Sequence, residues 1–209
     1  MEIVAISDTH LKYEQVKLGS GDILIHAGDC TNIGTEVEVI KFLNWFKKQD
    51  FRLKILVPGN HDFLFERSPG LARMLTEEKE VVLLIDETIE IEGLIIHGSP
   101  MTPRFYDWAF NRDRGYPINL HWKKIPDEVD ILITHGPPYK ILDTVLEGTN
   151  EGCEDLLARV MKINPKAHIF GHIHYSYGFQ KVKDTGFYNV SQCGENYKIS
   201  NPPQKIEEF

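Results

Sequence analysis

The sequence predicts an α/β fold built on a parallel β-sheet. Three apolar runs, at residues 3–6, 23–25 and 55–57, have the length and composition of buried strands. Between the second and third runs lies EVEVIKFLNWFKKQ, in which four apolar residues recur at helical spacing: Val39, Phe42, Leu43 and Phe46. A strand, a helix and a further strand in this order indicate a parallel pair joined by a right-handed crossover.

The next part of the chain predicts a helix and then a hairpin. A helix covers much of residues 63–78, although Ser68-Pro69-Gly70 must interrupt or delay it. A strand follows over residues 81–85. Two short strands, at 89–91 and 94–96, turn around Glu92-Gly93 and are typical of an antiparallel hairpin.

A long irregular stretch over residues 100–117 separates this hairpin from the last regular elements. It is polar and aromatic together, and its prolines and glycines disfavour regular structure. The pattern then predicts a strand, a helix, three further strands and a polar tail that contains Pro202-Pro203: residues 129–133, 153–163, 167–170, 179–182, 187–192 and the C-terminus.

Length and composition predict one soluble domain over residues 1–209. The chain has 42% hydrophobic residues, which is enough for a sizeable core, and no apolar segment approaches the roughly 20 residues that span a bilayer. We therefore expect no membrane partner. The sequence MEIVAISDTH enters a strand without a basic leader, and three cysteines are too few and too scattered for a disulfide framework. Both observations predict a cytoplasmic protein.

The charge balance bears on the partners. The net charge is -8, from 31 acidic and 23 basic residues, and Lys and Arg form no block. This argues against a protein that binds long nucleic acid through its phosphates. It leaves open a local cationic site, because bound metal ions add positive charge.

Potential metal ligands follow five of the predicted strands. Loops at the carboxyl ends of parallel strands converge on one crevice, so we expect these side chains to meet. They are Asp8, His10, Asp29, Asn60, His135, His172 and His174. Seven nitrogen and oxygen ligands are too many for one catalytic ion but suit two ions that share a carboxylate, the arrangement that serves phosphoester chemistry. Without a cysteine, the set suits Mn first, and also Fe, Zn, Mg or Ni.

The motifs differ in specificity. Asp8-Thr9-His10 and Gly28-Asp29 arise easily by chance, whereas a GNHD sequence such as residues 59–62 is expected in about one in a thousand chains of this length. GHIH at residues 171–174 is nearly as rare. Among the remaining histidines, His26 and His168 are predicted in the core and His121 at the surface. His97 is either a pocket wall or part of a structural turn.

These motifs, in this order, resemble those of the calcineurin-like metallophosphoesterases, from D-x-H through G-D, G-N-H-[DE] and a lone His to G-H-x-H. The pieces SDTH, GDILIHAGD, GSPMTP, THGPP and NPP are similar to the small metallophosphoesterase-domain-containing proteins of animals and bacteria. Some animal members lack the first histidine of the last motif, which this chain retains as His172. Many members also carry an acidic residue soon after G-D. In this chain the residues directly after Gly28-Asp29 are Cys30, Thr31 and Asn32, none of which is acidic.

The resemblance implies an α/β fold of the calcineurin-like phosphoesterase type, a four-layer α/β/β/α sandwich of two mixed β-sheets flanked by helices. It implies that Asp8, His10 and His174 hold one ion, and that Asp29 bridges both. The second ion is then held by Asn60, His135 and His172. A metal-bridging hydroxide is the expected nucleophile of phosphoester hydrolysis.

The two residues after Asn60 complete the expected catalytic group. His61 is expected to stabilise the phosphoryl oxygens and to protonate the leaving alkoxide. The sequence leaves the role of Asp62 open: its carboxylate orients His61, caps the following helix, or does both.

Residues 100–117 are the predicted wall of the substrate pocket. Three aromatic side chains there can stack on a base and three polar ones can meet phosphate: Phe105, Trp108 and Phe110, and Arg104, Asn111 and Arg112. The alternative is a self-packed Ω-type loop. With the resemblance, this favours a phosphodiesterase for small diesters such as cyclic nucleotides. A phosphomonoesterase or protein phosphatase, a nuclease and a non-catalytic scaffold are the alternatives, and a monomer and a homodimer remain equally open.

Overall fold

The computed structural model of the chain describes residues 1–207. The strands are β1 (Ile3–Ile6), β2 (Gly21–His26), β3 (Phe51–Leu56), β4 (Val82–Leu83), β5 (Glu87–Ile91), β6 (Leu94–Ser99), β7 (Thr102–Pro103), β8 (Asn111–Arg112), β9 (Ile131–Thr134), β10 (Ala167–Phe170), β11 (Gly178–Val182), β12 (Thr185–Asn189) and β13 (Gln204–Ile206). The helices are α1 (Glu36–Lys47), α2 (Phe63–Arg67), α3 (Pro69–Glu78), α4 (Tyr116–Trp122) and α5 (Glu154–Ile163).

Two mixed sheets form the centre of the structure. The first has the strand order β13-β1-β2-β3-β4, with β1 to β4 parallel and β13 antiparallel to β1. The second has the order β11-β12-β10-β9-β6-β5, parallel in the middle and antiparallel at both edges. Strands β7 and β8 pair separately.

Alternation along the strands assigns each side chain to a layer. Ile3 of β1 and Ile131 of β9 belong to one core cluster, which joins the facing sides of the two sheets. Their neighbours Val4 and Leu132 point the opposite way, into a second cluster that includes Phe42 of α1. Because the strands are buried on both faces, they appear in the sequence as continuous apolar runs. The predicted α/β/β/α sandwich is confirmed.

Local signals place the helix boundaries. Thr35 accepts a hydrogen bond from the Glu38 amide and Glu38 bonds back to the Thr35 amide, so a capping box starts α1. The predicted interruption at Ser68-Pro69-Gly70 separates α2 from α3, and Pro69 stands at the first position of α3.

The C-terminal tail differs from the prediction, because β13 closes the edge of the first sheet. Polar side chains attach the segment before it. The side-chain amide of Asn201 donates to the Ser191 carbonyl oxygen at 2.8 Å. The side-chain amide of Gln204, the first residue of β13, donates to the Asn189 carbonyl oxygen at 2.6 Å. This pairing depends on partners that are remote in sequence, so the local polar composition gave no signal of a strand. In residues 1–207 no helix combines the length and the apolar character needed to cross a membrane.

Candidate metal centre

Several residues at the strand ends have left-handed backbone conformations that are rare for non-glycine residues. The φ angles are 51° at Asp8, 41° at His10, 57° at Asp29 and 69° at His172. Such conformations cost energy for a residue with a Cβ atom, so the surrounding structure must stabilise them. Here the Asp8 amide donates to the Gly28 carbonyl oxygen at 2.8 Å, and the His10 amide to the Asp29 carbonyl oxygen at 3.1 Å.

Glycines in the motifs allow the close approach of these turns. A Cβ atom on Gly59 would collide with the Asp29 carboxylate, and one on Gly171 would collide with the Asp8 carboxylate. The two glycines are therefore needed for space beside the carboxylates, which explains their place directly before Asn60 and His172.

The structure brings all seven predicted ligands together at the carboxyl ends of the strands. One group consists of Asp8, His10 and His174, whose potential ligand atoms lie within 4.8 Å of one another. His174 Nε2 is 3.3 Å from Asp8 Oδ1 and 3.4 Å from His10 Nε2.

A second group consists of Asp29, His135 and His172. His135 Nε2 lies 2.9 Å from Asn60 Oδ1 and 3.4 Å from Asp29 Oδ2. The same Asp29 oxygen is 3.8 Å from His10 Nε2 in the first group. Asp29 therefore lies between the two groups, where a carboxylate can be shared.

These distances fit two metal ions. Ligand atoms that are each about 2.1 Å from one ion lie about 3.0 to 3.4 Å apart in octahedral or tetrahedral coordination. Hydrogen bonds already orient the ligands for this purpose. Asp8 Oδ2 accepts from the Ser7 and Ser191 hydroxyls and from the His172 amide, which leaves Oδ1 facing His174. His135 donates Nδ1–H to the Ala27 carbonyl oxygen, which directs Nε2 towards Asn60 and Asp29.

The two carboxylates are held in their charged forms. Burial opposes ionisation of Asp29, but the neighbouring charge of His135 outweighs it and lowers the pKa of Asp29. Burial likewise opposes ionisation of Asp8, and the hydrogen bond and charge of His174 lower its pKa well below the usual value. Both residues therefore offer charged oxygens to a cation.

The pKa values of the predicted ligand histidines differ because their surroundings differ. Burial lowers the pKa of His10 to about 4 and that of His172 to about 3, so both are neutral and can donate a lone pair. Burial also opposes protonation of His135, but the charge of Asp29 outweighs it and raises the pKa of His135 to about 9. A metal ion must displace that proton before it can bind the nitrogen, so metal binding at His135 competes with protons.

His61 faces the same centre but has a different environment. Its Nδ1–H donates to the Asn32 carbonyl oxygen at 2.6 Å, and Nε2 is 3.9 Å from Asp29 Oδ2. Trp108 covers the ring, with centroids 4.2 Å apart. A backbone carbonyl oxygen thus orients His61.

The structure supports neither role that the sequence left open for Asp62. The residue stands at the N-cap of α2, but its side chain makes no capping hydrogen bond. The described hydrogen bonds to its carboxylate come from groups other than His61. Its donors are the amides of Asp29, Cys30, Thr31 and Gly59, the Thr31 hydroxyl and the Cys30 thiol. Burial and the charge of Asp29 raise the pKa of Asp62. The residue therefore joins the turn after β2 to the GNHD turn.

This role predicts a large loss of stability for Asp62→Ala. Removing the carboxylate leaves several buried donors without an acceptor, which we expect to lower the free energy of unfolding by about 3 kcal/mol or more. Urea unfolding measures the change, and Asp127→Ala, at an exposed carboxylate, is the control. A fully stable Asp62→Ala variant that had lost only turnover would instead indicate an orienting role toward His61.

A cavity of about 430 Å³ opens over the metal centre. Arg104, Phe105 and Trp108 of the predicted wall line it, together with His61 and five predicted metal ligands: His10, Asp29, Asn60, His172 and His174. The part of this stretch between β7 and β8, residues 104–110, is also an Ω-like loop, because these two-residue strands pair and bring its ends together. The two alternatives given by the sequence therefore describe the same segment.

Three other predicted pocket residues do not line this cavity. Phe110 is packed in the core. Asn111 is buried and accepts a hydrogen bond from the Thr102 hydroxyl at 2.9 Å, and Arg112 forms an ion pair with Glu66 at 3.2 Å. We correct their placement: the loop turns them away from the cavity, and they hold its ends together.

His97, which the sequence offered as a pocket residue, does not line the cavity. It lies within β6, is 1% exposed, and its Nδ1 is hydrogen-bonded to the Thr88 hydroxyl at 2.8 Å. Burial lowers the pKa of His97 from 6.5 to about 4, although the nearby charge of Asp86 works in the opposite direction. Its apolar run imitated the other strand ends, but the strand continues past it to Ser99.

The buried His97 predicts acid sensitivity that His97→Asn removes. Between pH 6.5 and about 4 the unfolded chain binds a proton at this side chain that the folded chain does not, so stability falls as the pH falls. At pH 5 the difference is about 2 kcal/mol. Urea unfolding of both proteins at pH 7.5 and pH 5 should show a shallower loss for the variant. Equal losses in the two proteins would contradict this prediction.

Among the cavity-lining residues that sequence reasoning missed, three have polar side-chain groups: Arg114, Glu151 and Tyr197. Arg114 donates to the carbonyl oxygens of Glu151 and Gly152, and Glu151 itself reaches the cavity wall. Tyr197 packs on His10 with ring centroids 4.7 Å apart. Arg114 lay in the irregular stretch and could have been included, whereas no motif pointed to Tyr197 near the C-terminus.

The fold and this centre together define a class. Two mixed sheets that gather histidines and carboxylates around a shared aspartate, beneath an open cavity, are the arrangement of a metal-dependent phosphoester hydrolase.

Comparisons with known proteins give the family. The model of the calcineurin-like phosphoesterase family matches residues 1–176. Metallophosphoesterase domain-containing protein 1 of Homo sapiens is 37% identical over 227 residues, covering 98% of this chain and 70% of the relative. UPF0046 protein K07C11.7 of Caenorhabditis elegans is 34% identical over 215 residues, covering 97% and 73%. The chain therefore belongs to the calcineurin-like phosphoesterase family, as its motifs predicted.

A solved structure supports the fold. The phosphopantetheinyl hydrolase of Mycobacterium tuberculosis superimposes with a TM-score of 0.67, covering 94% of this chain and 90% of its own. Its sequence identity of 17% restricts that likeness to the fold.

Proposed function

We propose that the protein hydrolyses small phosphodiesters, with cyclic nucleotides as the first substrates to test. Two metal ions, Mn in the first instance, would be held at the seven-residue centre. Asp8, His10 and His174 would hold one, Asn60, His135 and His172 would hold the other, and both would share Asp29. The observation that carries the proposal is the cavity above Asp29, whose walls include the aromatic side chains of Phe105, Trp108 and Tyr197.

The chain supplies the proton and the orientation that hydrolysis needs. Bound ions at such a centre supply a water of lowered pKa and neutralise charge on the phosphate. His61 presents Nε2 to the centre while the Asn32 carbonyl oxygen fixes its Nδ1–H, so it can hold a proton beside the leaving oxygen. Trp108 and Phe105 restrict the access of water and orient the ester groups.

The charges around the cavity favour a diester over a monoester. Two arginines line it, but Arg104 is paired with Asp113 at 2.6 Å, and the guanidinium of Arg114 donates to the backbone carbonyl oxygens of Glu151 and Gly152. Both guanidinium groups therefore already have hydrogen-bond partners, which disfavours their use for the second negative charge of a monoester. A diester carries one negative charge and a second organic group, which the aromatic walls can contact.

A hydrolysis panel tests the proposal. Protein loaded with Mn is assayed against cyclic nucleotides, nucleoside monophosphates, a phosphopeptide, single-stranded DNA and a bis-nitrophenyl diester, with metal analysis in parallel. We expect kcat/KM to be highest for the small diesters, by about tenfold or more over the monoesters. Activity on DNA alone would indicate a nuclease, and a preference for monoesters would indicate a phosphatase. Either result would overturn the proposal.

A further inference from the structure

We infer that Trp108 selects the leaving group, so that the ester group in contact with Trp108 is the one released. The inference rests on the proposed diester hydrolysis and adds which of the two ester bonds breaks. Its basis is that the side chain placed to protonate the leaving oxygen and one aromatic wall of the cavity are in direct contact.

Trp108 packs on His61 with its ring plane tilted. The ring centroids are 4.2 Å apart and the planes are inclined by 34°. Phe63 also packs on Trp108, with ring centroids 5.9 Å apart, and the guanidinium of Arg67 lies over the Phe63 ring at 4.2 Å. The indole thus contacts two rings while it also lines the cavity.

The loop backbone fixes this contact. The Ala109 amide, next to Trp108, donates to the Asn60 carbonyl oxygen at 3.2 Å, so the loop is attached to the turn that carries His61. The side-chain amide of Asn111 donates to the Phe105 carbonyl oxygen at 2.7 Å and holds the other half of the loop. Trp108 and His61 therefore form one rigid corner of the cavity.

The other aromatic walls lie beside different histidines. Phe105 packs on His172 with centroids 5.2 Å apart, and Tyr197 packs on His10 and His174 at 4.7 and 5.3 Å. A diester whose phosphorus lies over the centre can place one ester group at the Trp108 corner, and the other then faces these walls. Only the group at the Trp108 corner has its ester oxygen next to the proton of His61.

The reaction balances with water as the only co-reactant. Water oxygen forms a bond to phosphorus as the bond from phosphorus to the ester oxygen at the Trp108 corner breaks. The electron pair of that bond remains on the ester oxygen, which takes the proton from His61. The products are the alcohol from the Trp108 corner and a phosphate monoester that keeps the other group, and the proton lost by the water restores His61.

Benzyl ethyl phosphate tests the inference, because its two alkoxide leaving groups are similarly basic. Benzyl should occupy the Trp108 corner, since stacking on an aromatic ring is worth about 0.5 to 1.5 kcal/mol. We expect benzyl alcohol and ethyl phosphate to exceed ethanol and benzyl phosphate by about 3- to 10-fold, and isotopically labelled water to confirm cleavage at phosphorus. Trp108→Ala and Trp108→Leu should both bring the product ratio toward one.

Matched variants separate this role from a general loss of structure. Phe105→Ala removes a wall beside His172 and should keep the benzyl preference. Phe179→Ala, at an exposed ring that packs on Tyr188 at the edge of the second sheet, should change neither rate nor ratio. An even ratio, or an excess of ethanol, in the unmodified protein would overturn the leaving-group inference and leave diester hydrolysis intact. No hydrolysis of any diester in the panel would overturn the proposed function itself.

Discussion

Asp29→Asn should lose at least one of two bound metal ions and reduce kcat/KM by about 1,000-fold or more. Asp29 Oδ2 lies 3.4 Å from His135 Nε2 and 3.8 Å from His10 Nε2, between the two ligand groups. The Asp29 Oδ1 atom accepts the His61 amide at 2.8 Å. An asparagine that keeps this hydrogen bond must direct its NH₂ group, a donor without negative charge, toward both ions.

Metal analysis after gel filtration measures the first effect and diester hydrolysis the second. Asp127→Asn makes the same change at an exposed carboxylate whose ion pair with Arg159 contributes little. It should keep two ions and full turnover. If Asp29→Asn also retained two tightly bound ions, Asp29 would not be the bridging ligand.

His61→Gln should reduce kcat by about 100- to 10,000-fold on a diester with an alkyl leaving group, with the metal content unchanged. His61 is oriented through the Asn32 carbonyl oxygen and faces Asp29, and it is outside the seven-ligand set. A nitrophenolate leaves without a proton, so the same variant should lose much less activity on the bis-nitrophenyl diester. The contrast between the two leaving groups isolates proton donation from binding.

His121→Gln provides the matched histidine control. The sequence placed His121 at the surface, but its Nδ1 is 2.6 Å from Asp86 Oδ2 and its side chain is only 17% exposed. The substitution should affect stability and leave turnover unchanged, because His121 does not line the cavity in the described part of the chain. Equal losses of His61→Gln on both diesters would refute a proton-donor role for His61.

The position of the centre could be predicted because strand direction is encoded locally. Apolar runs identified the strands, and parallel strands direct their carboxyl ends to one crevice, so Asp8, Asn60 and His135 could be grouped although they are distant in sequence. The helix interruption at Pro69 was predicted from another local property, because proline restricts its own backbone and that of the residue before it.

The roles of Asp62 and His97 could not be predicted, because each depends on which partner reaches the side chain. Asp62 stands three residues from Gly59 but also accepts from the turn at 29–31, which only the folded chain brings close. His97 follows the same apolar pattern as a strand-end ligand, and pairing with β9 keeps it inside the sheet.

The sequence by itself determined an α/β fold with a parallel sheet and the seven side chains at the strand ends, because periodicity and motif spacing are properties of the chain alone. The order of its motifs carried the family resemblance, which implied the four layers. Only the tertiary structure decided that Trp108 packs on His61, that Tyr197 packs on His10, and that Asn111 and Arg112 face away from the cavity. These outcomes depend on the packing of irregular segments against remote partners, and such packing has no period that a sequence can display.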